Sequence, residues 1–131
     1  MNIDGAKVSV NKSAKECFDF FSDVANFEQL MPESIHKFQV DGDSFLFALK
    51  GMPDIRLVLG DFVKYSKVSL DSDSASSKLS FTLTAFIDET SAKTSDVQLK
   101  FEGEFNAMLV MMVKKPLTSF INTLTENIAK I

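Results

Sequence analysis

Two periodicities divide this chain. From Ser34 to Phe105 apolar and polar residues alternate with period two, and beyond Pro116 apolar positions recur every three or four residues. The first regime predicts strands and the second a one-sided helix. The clearest strands are KLSFTLTAFI (78–87) and DVQLKFEGEF (96–105). In the former, Leu79, Phe81, Leu83 and Ala85 alternate with Ser80, Thr82 and Thr84. In the latter, Val97, Leu99, Phe101, Gly103 and Phe105 alternate with Gln98, Lys100, Glu102 and Glu104. One wet face and one apolar face is the pattern of an antiparallel sheet. The intervening DETSAKTSD reads as the hairpin loop. IHKFQV, DGDS and FLFALK (35–50) read as a hairpin with Phe45, Phe47 and Leu49 on one face. After the GMPD break, IRLVLGDFVKYSKVSL (55–70) reads as one long strand stretch, with Gly60 a bulge that changes the side facing inward. DSDSASS (71–77) reads as a loop.

The amino-terminal part begins with a short strand, Ala6, Val8 and Val10 alternating with Lys7 and Ser9. Ser13-x-x-Glu16 then forms a capping box, in which the hydroxyl accepts the third amide and the carboxylate accepts the cap amide. A short helix should follow with Cys17, Phe20 and Phe21 inward. Asp23 caps a second short helix, VANFEQLM, which Pro32 ends because the residue before proline avoids helical geometry. At the other end Leu117, Phe120, Ile121, Leu124 and Ile128 share one helical face, opposite Thr118, Asn122, Glu126 and Lys130. The preceding AMLVMMV (107–113) has no polar face, which predicts enclosure on more than one side. Pro116 should kink the helix between these halves.

This order resembles the START-like, or SRPBCC, superfamily, which includes the birch pollen allergen, polyketide cyclases and lipid-transfer START domains. Three stretches carry the likeness: VSVNKSAKECFDFFSDVANFEQLMPE, GMPDIRLVL and FNAMLVMMVKKPLTSFINTL. They look most like the small bacterial members described as polyketide cyclase or dehydrase-like, or as relatives of the carbon monoxide dehydrogenase accessory protein. The resemblance implies an α+β helix-grip fold spanning residues 1–131 as a single domain. In it a curved antiparallel sheet, with two short amino-terminal helices, wraps around a long carboxyl-terminal helix. It also implies a cavity between sheet and helix that admits a small hydrophobic molecule or lipid. The Met-rich half of the helix would be one wall, since methionine repacks around varied shapes. The wall residues expected are Phe45, Phe47, Leu57, Phe81, Leu83, Phe101, Phe105, Met108 and Met112, with the inward Gly103 leaving room above the sheet.

Composition fits such an interior. Phe occurs 13 times and Met six, against one Tyr and no Trp. A Phe-rich core makes few directional bonds. The net charge of −4, with a single arginine among 14 basic residues, excludes a phosphate-binding surface for nucleic acid. The uncharged apolar stretch Phe105–Val113 is far short of the roughly 20 residues that span a bilayer. Lys114 and Lys115 are too few for stable membrane attachment, each adding on the order of 1 kcal/mol. The single Cys17 allows no internal disulfide and, with no signal-peptide pattern at MNIDGAKVSV, suggests the cytoplasm.

Catalytic chemistry has few candidates. One His and one Cys cannot build a zinc site, and no phosphate-cradling glycine loop is present, so neither metal nor cofactor is expected. A Cys17–His36 pair is arithmetically allowed, but Cys17 falls among Phe18, Phe20 and Phe21, where a thiol behaves as a small hydrophobe. Asp61 shares the parity of Leu57 and Leu59, so in a regular strand it points inward and could exchange protons. A bulge at Gly60 would turn it to solvent. His36 shares parity with Phe38 and Val40 and could lie at a cavity rim. Three readings follow: a non-enzymatic carrier of an apolar ligand, a cyclase-like enzyme using Asp61 or His36, and an interaction protein whose phenylalanines fill its own cavity. The last allows a homodimer through the strand face carrying Leu46 and Phe86.

Overall fold

The computed structural model describes residues 1–73 and 79–131. Its elements in chain order are β1 (Asn2–Asp4), β2 (Val8–Val10), α1 (Ala14–Ser22), a 3₁₀ segment (Val24–Leu30), β3 (Lys37–Asp41), β4 (Ser44–Ala48), β5 (Ile55–Val63), β6 (Lys67–Ser72), β7 (Phe81–Ser91), β8 (Thr94–Gly103) and α2 (Ala107–Ile128). The strands form one antiparallel sheet in the order β1-β8-β7-β6-β5-β4-β3, with β2 also on β8. The sheet and the three helical segments form the α+β helix-grip architecture expected.

The capping box is present as read: the Glu16 amide donates to Ser13 Oγ at 3.1 Å, and the Ser13 amide donates to Glu16 Oε1 at 3.0 Å. The inward face of α1 consists of Ala14, Cys17, Phe18 and Phe21, so Phe18 takes the place expected for Phe20. Spacing of three and four residues explains it: Phe18 and Phe21 lie above Ala14 and Cys17, whereas the half-buried Phe20 meets the edge of Phe21 at 5.4 Å. Asp23 accepts the Ala25 amide and opens the 3₁₀ segment.

Three expectations about the strands change. First, residues 55–70 are a hairpin, β5 and β6, rather than one long strand. The turn rests on Tyr65 at φ 72°, with neither Gly nor Pro in it. The Tyr65 ring meets Phe18 edge-on at 5.6 Å, so a packing contact accompanies the unusual backbone. Second, β7 and β8 run on through most of DETSAKTSD, leaving only Ala92 and Lys93 as the turn. Hydroxyls support this polar tip: Thr94 Oγ1 lies 2.7 Å from both Thr90 Oγ1 and Ser91 Oγ. Third, Asn2–Asp4 adds a strand on β8. Of the loop read at 71–77, Asp71 and Ser72 belong to β6, while 74–77 lie outside the described residues.

The bulge read at Gly60 is present. Leu59 pairs with Leu70, but Phe62, not Asp61, pairs with Val68. The extra residue sends Phe62 to the side of Phe18, whose ring it meets at 5.8 Å, and leaves Asp61 exposed. A Cβ at Gly60 would meet the carboxylate of Asp71, the movable end of an exposed side chain.

The core fills the side of the sheet covered by the helices. β7 contributes Phe81, Leu83, Ala85 and Ile87, β8 contributes Val97, Leu99 and Phe101, and α2 contributes Leu117, Phe120, Ile121, Leu124 and Ile128. Gly5, between β1 and β2, lets α2 approach closely. A Cβ there would lie 2.8 Å from Thr125 Oγ1 and 3.3 Å from the Leu99 carbonyl oxygen.

Candidate ligand-binding site

Over its carboxyl half, α2 touches the sheet directly. Phe120 stacks on Phe47 with ring centroids 5.2 Å apart, and Leu117, Ile121 and Leu124 are at most 1% exposed. The stack continues inward from Phe47 to Phe45 at 5.7 Å, and Phe45 in turn lies 5.4 Å from Phe27 and 5.1 Å from Phe38. Phe45, Phe47 and Leu57 are completely buried, and Leu83 is 2% exposed. The structure thus gathers these four wall candidates into one core, in which the two aromatic ones are in mutual contact and Phe47 is stacked on the helix.

The amino half of α2 is built differently. Asn106 caps it, its side-chain oxygen accepting the Leu109 amide at 2.8 Å. Pro116 sits inside one continuous helix, where it removes the amide that would bond the Met112 carbonyl. The first buried position is Val113. Met108, Met111 and Met112 are 75%, 84% and 69% exposed, which corrects the expectation that this apolar half is enclosed and that Met108 and Met112 face a cavity. The reason is geometric. Residues spaced by three and four share a face, and the face of Val113 and Leu117 is the one turned to the core; the methionines lie off it.

Strand register places the ends of β1, β8, β7, β6, β5 and β4 that carry Asn2, Gly103, Phe81, Ser72, Ile55 and Phe47 at one end of the sheet. There Phe81 and Phe101 stack at 4.6 Å, and Phe105 lies 6.3 Å from Phe101. The room expected above Gly103 is taken by Phe105, whose Cζ would be 2.7 Å from an added Cβ. Met1 and Phe105, both beside Gly103, pack against the core yet are only partly buried, as are Met52 in the β4–β5 connection and Leu109 on α2. An open cleft of about 610 Å³ at this end touches Met1, Phe81 and Gly103 but is lined mainly by polar groups, among them Asp71, Ser80, Thr82, Glu102 and Glu104; Met52, Phe105 and Leu109 do not line it. A smaller groove of about 220 Å³ lies where Pro116 and Phe120 meet Pro32 and Leu49.

The titratable candidates do not converge on the interior. Asp61 and His36 are both exposed. The His36 amide donates to the Ala48 carbonyl at 3.1 Å. Cys17 is fully buried, and burial pushes its thiol up from the ordinary value, which keeps it protonated and unreactive. Arg56 lies on the outer face and donates to Ser44 Oγ at 2.9 Å. Among the described residues no group of three or more His, Cys, Asp or Glu is placed to hold a metal ion. On the sheet's outer side Leu46 is half-buried, and Phe86 is 39% exposed beneath Lys100 Nζ at 5.6 Å from its ring centre.

No family model matches this chain, and no curated protein sequence matches it. Solved structures do. Norcoclaurine synthase from Thalictrum flavum, in complex with dopamine and hydroxybenzaldehyde, is 14% identical with a TM-score of 0.73, over 99% of this chain and 84% of that one. The protein XoxI from Bacillus cereus is 12% identical with a TM-score of 0.67, over 98% and 93% of the two chains. An uncharacterized protein from Bacillus thuringiensis is 12% identical with a TM-score of 0.63, over 98% of each. At such identities the likeness shows the fold and no more. The chain has the helix-grip fold of these solved structures.

Proposed function

We propose that this protein is a non-enzymatic binder of a small hydrophobic molecule, held at the end of the core beneath the amino half of α2. The observation that supports this reading is the partly buried Phe105, which lies over Gly103 and 6.3 Å from Phe101 at the end of the core, with Leu109 of α2 also packed on the core but only partly buried. Phe81, Phe101 and Phe105 form the wall of this site, and Phe105 is the residue that must move off Gly103 to admit a ligand. Phe45, Phe47, Leu57 and Leu83 form the packed floor behind it. Affinity would come from apolar burial at about 25 cal/mol per Å². No carboxylate or imidazole candidate reaches the interior, so no catalytic role is proposed.

Titration with the neutral dye Nile red tests the reading. Saturable uptake at one site, weakened about tenfold by Leu109→Trp, which would fill the opening, is the expected result. Absence of saturable uptake would remove the carrier reading. It would favour a second one, supported by the stacked Phe27, Phe45, Phe47 and Phe120 rings: an interaction protein whose own phenylalanines occupy the cavity.

A further inference from the structure

We infer that the outward face of the amino half of α2 docks on an anionic phospholipid bilayer. Met108, Met111 and Met112 lie three and four residues apart, on one helical face, and each is more than two-thirds exposed. Three adjacent solvent-facing methionines are a contiguous apolar surface of the kind that marks an interaction site. The next exposed positions along the helix, past the buried Val113, are Lys114 and Lys115, and neither has an ion pair among the described residues. An apolar trough of about 580 Å³ runs between Met111, these lysines and Thr118, Ser119 and Asn122.

Charge selects the occupant. The whole chain carries −4, yet no Asp or Glu occurs between Phe105 and Thr125, so this face is locally cationic on an acidic protein. A second copy of the chain docked through the same face would set lysine against lysine. An anionic lipid surface complements both features: headgroups meet Lys114 and Lys115, and the unbranched methionine side chains enter the acyl boundary. Among the described residues no helix is long and apolar enough to cross a membrane, and the contact inferred is interfacial. With only two lysines it is also weak and reversible. It involves the face of α2 away from the proposed ligand site and stands on separate observations.

Cosedimentation of the full chain with vesicles of phosphatidylcholine alone, or of phosphatidylcholine and phosphatidylglycerol in equal parts, tests this. The expected result is binding to the mixed vesicles that declines with salt. Partitioning should fall by about tenfold or more in the double variant K114E and K115E. It should fall comparably when Met108, Met111 and Met112 are all changed to Gln. Circular dichroism of both variants should match the parent, because every altered side chain is exposed. Lack of binding to mixed vesicles, or equal binding to both vesicle types, overturns the inference. So does a concentration-dependent dimer in sedimentation velocity that the Met variant abolishes, since the occupant would then be a second copy. Nile red uptake in free solution reads the ligand site separately. Vesicle binding without dye uptake would keep this inference and sink the carrier reading, and the reverse would sink this inference alone.

Discussion

From Leu117 onward α2 lies on the sheet, with Leu117, Ile121 and Leu124 at most 1% exposed; before Val113 the same helix carries three methionines at 69–84% exposure. By sequence the amino half is the more hydrophobic of the two, because AMLVMMV has no polar face. Burial therefore follows the available partner surface rather than local hydrophobicity. Phe47 on β4, Leu99 on β8 and Leu30 at the end of the 3₁₀ segment supply that surface to the carboxyl half. The Asn127 side chain adds a polar fastening, donating to the Leu30 carbonyl at 2.8 Å. The amino half buries Val113 but leaves Met108, Met111 and Met112 to solvent. A helix with one satisfied and one unsatisfied apolar half suggests a protein that keeps apolar surface in reserve for something else to cover.

Substitutions along α2 can break or sharpen that contrast. The largest effect is expected for Phe120→Ala, which removes the ring stacked on Phe47 and should lower unfolding free energy by about 3–5 kcal/mol in urea denaturation. A loss under about 1 kcal/mol would mean that the two layers are not in contact there. Leu109→Ala removes a half-buried side chain, and a loss of about 1–2 kcal/mol is expected by the same measurement. Thr125→Val should act in the opposite direction. The Thr125 hydroxyl is buried with no hydrogen-bond partner among the described residues, so replacing it with a methyl should raise stability by about 1 kcal/mol. An equal loss would indicate a bond from that hydroxyl. Met111→Ala should change stability by less than about 0.5 kcal/mol, as for other exposed positions. A large loss would place Met111 in contact with the core and erase the contrast.

Much of the fold was legible because its signals are local. The alternation in β7 and β8, the Ser13–Glu16 capping box and the bulge at Gly60 each depend on neighbours within a few residues. The β5–β6 hairpin was not legible, since its turn sits on Tyr65, which carries no turn signal and is accompanied by a ring contact with Phe18 from a distant element. Strand β1 was hidden because NID is too short to show a period. For the site, parity correctly put Phe81, Leu83 and Phe101 on the inward face, but parity says nothing of what lies opposite. That Phe120 covers Phe47, and that Phe105 folds over Gly103, are long-range packing outcomes. The orientation of Met108 and Met112 was missed because an all-apolar helix gives no moment from which to read its inward side.

The central claim is that an apolar guest enters under the amino half of α2 and leaves the carboxyl half undisturbed. Methyl NMR during titration with Nile red measures this directly. The Leu109 and Val110 methyl resonances should shift with saturation while those of Ile121 and Leu124 stay in place. Shifts confined to Ile121 and Leu124, or none at any of the four under saturating dye, would contradict it.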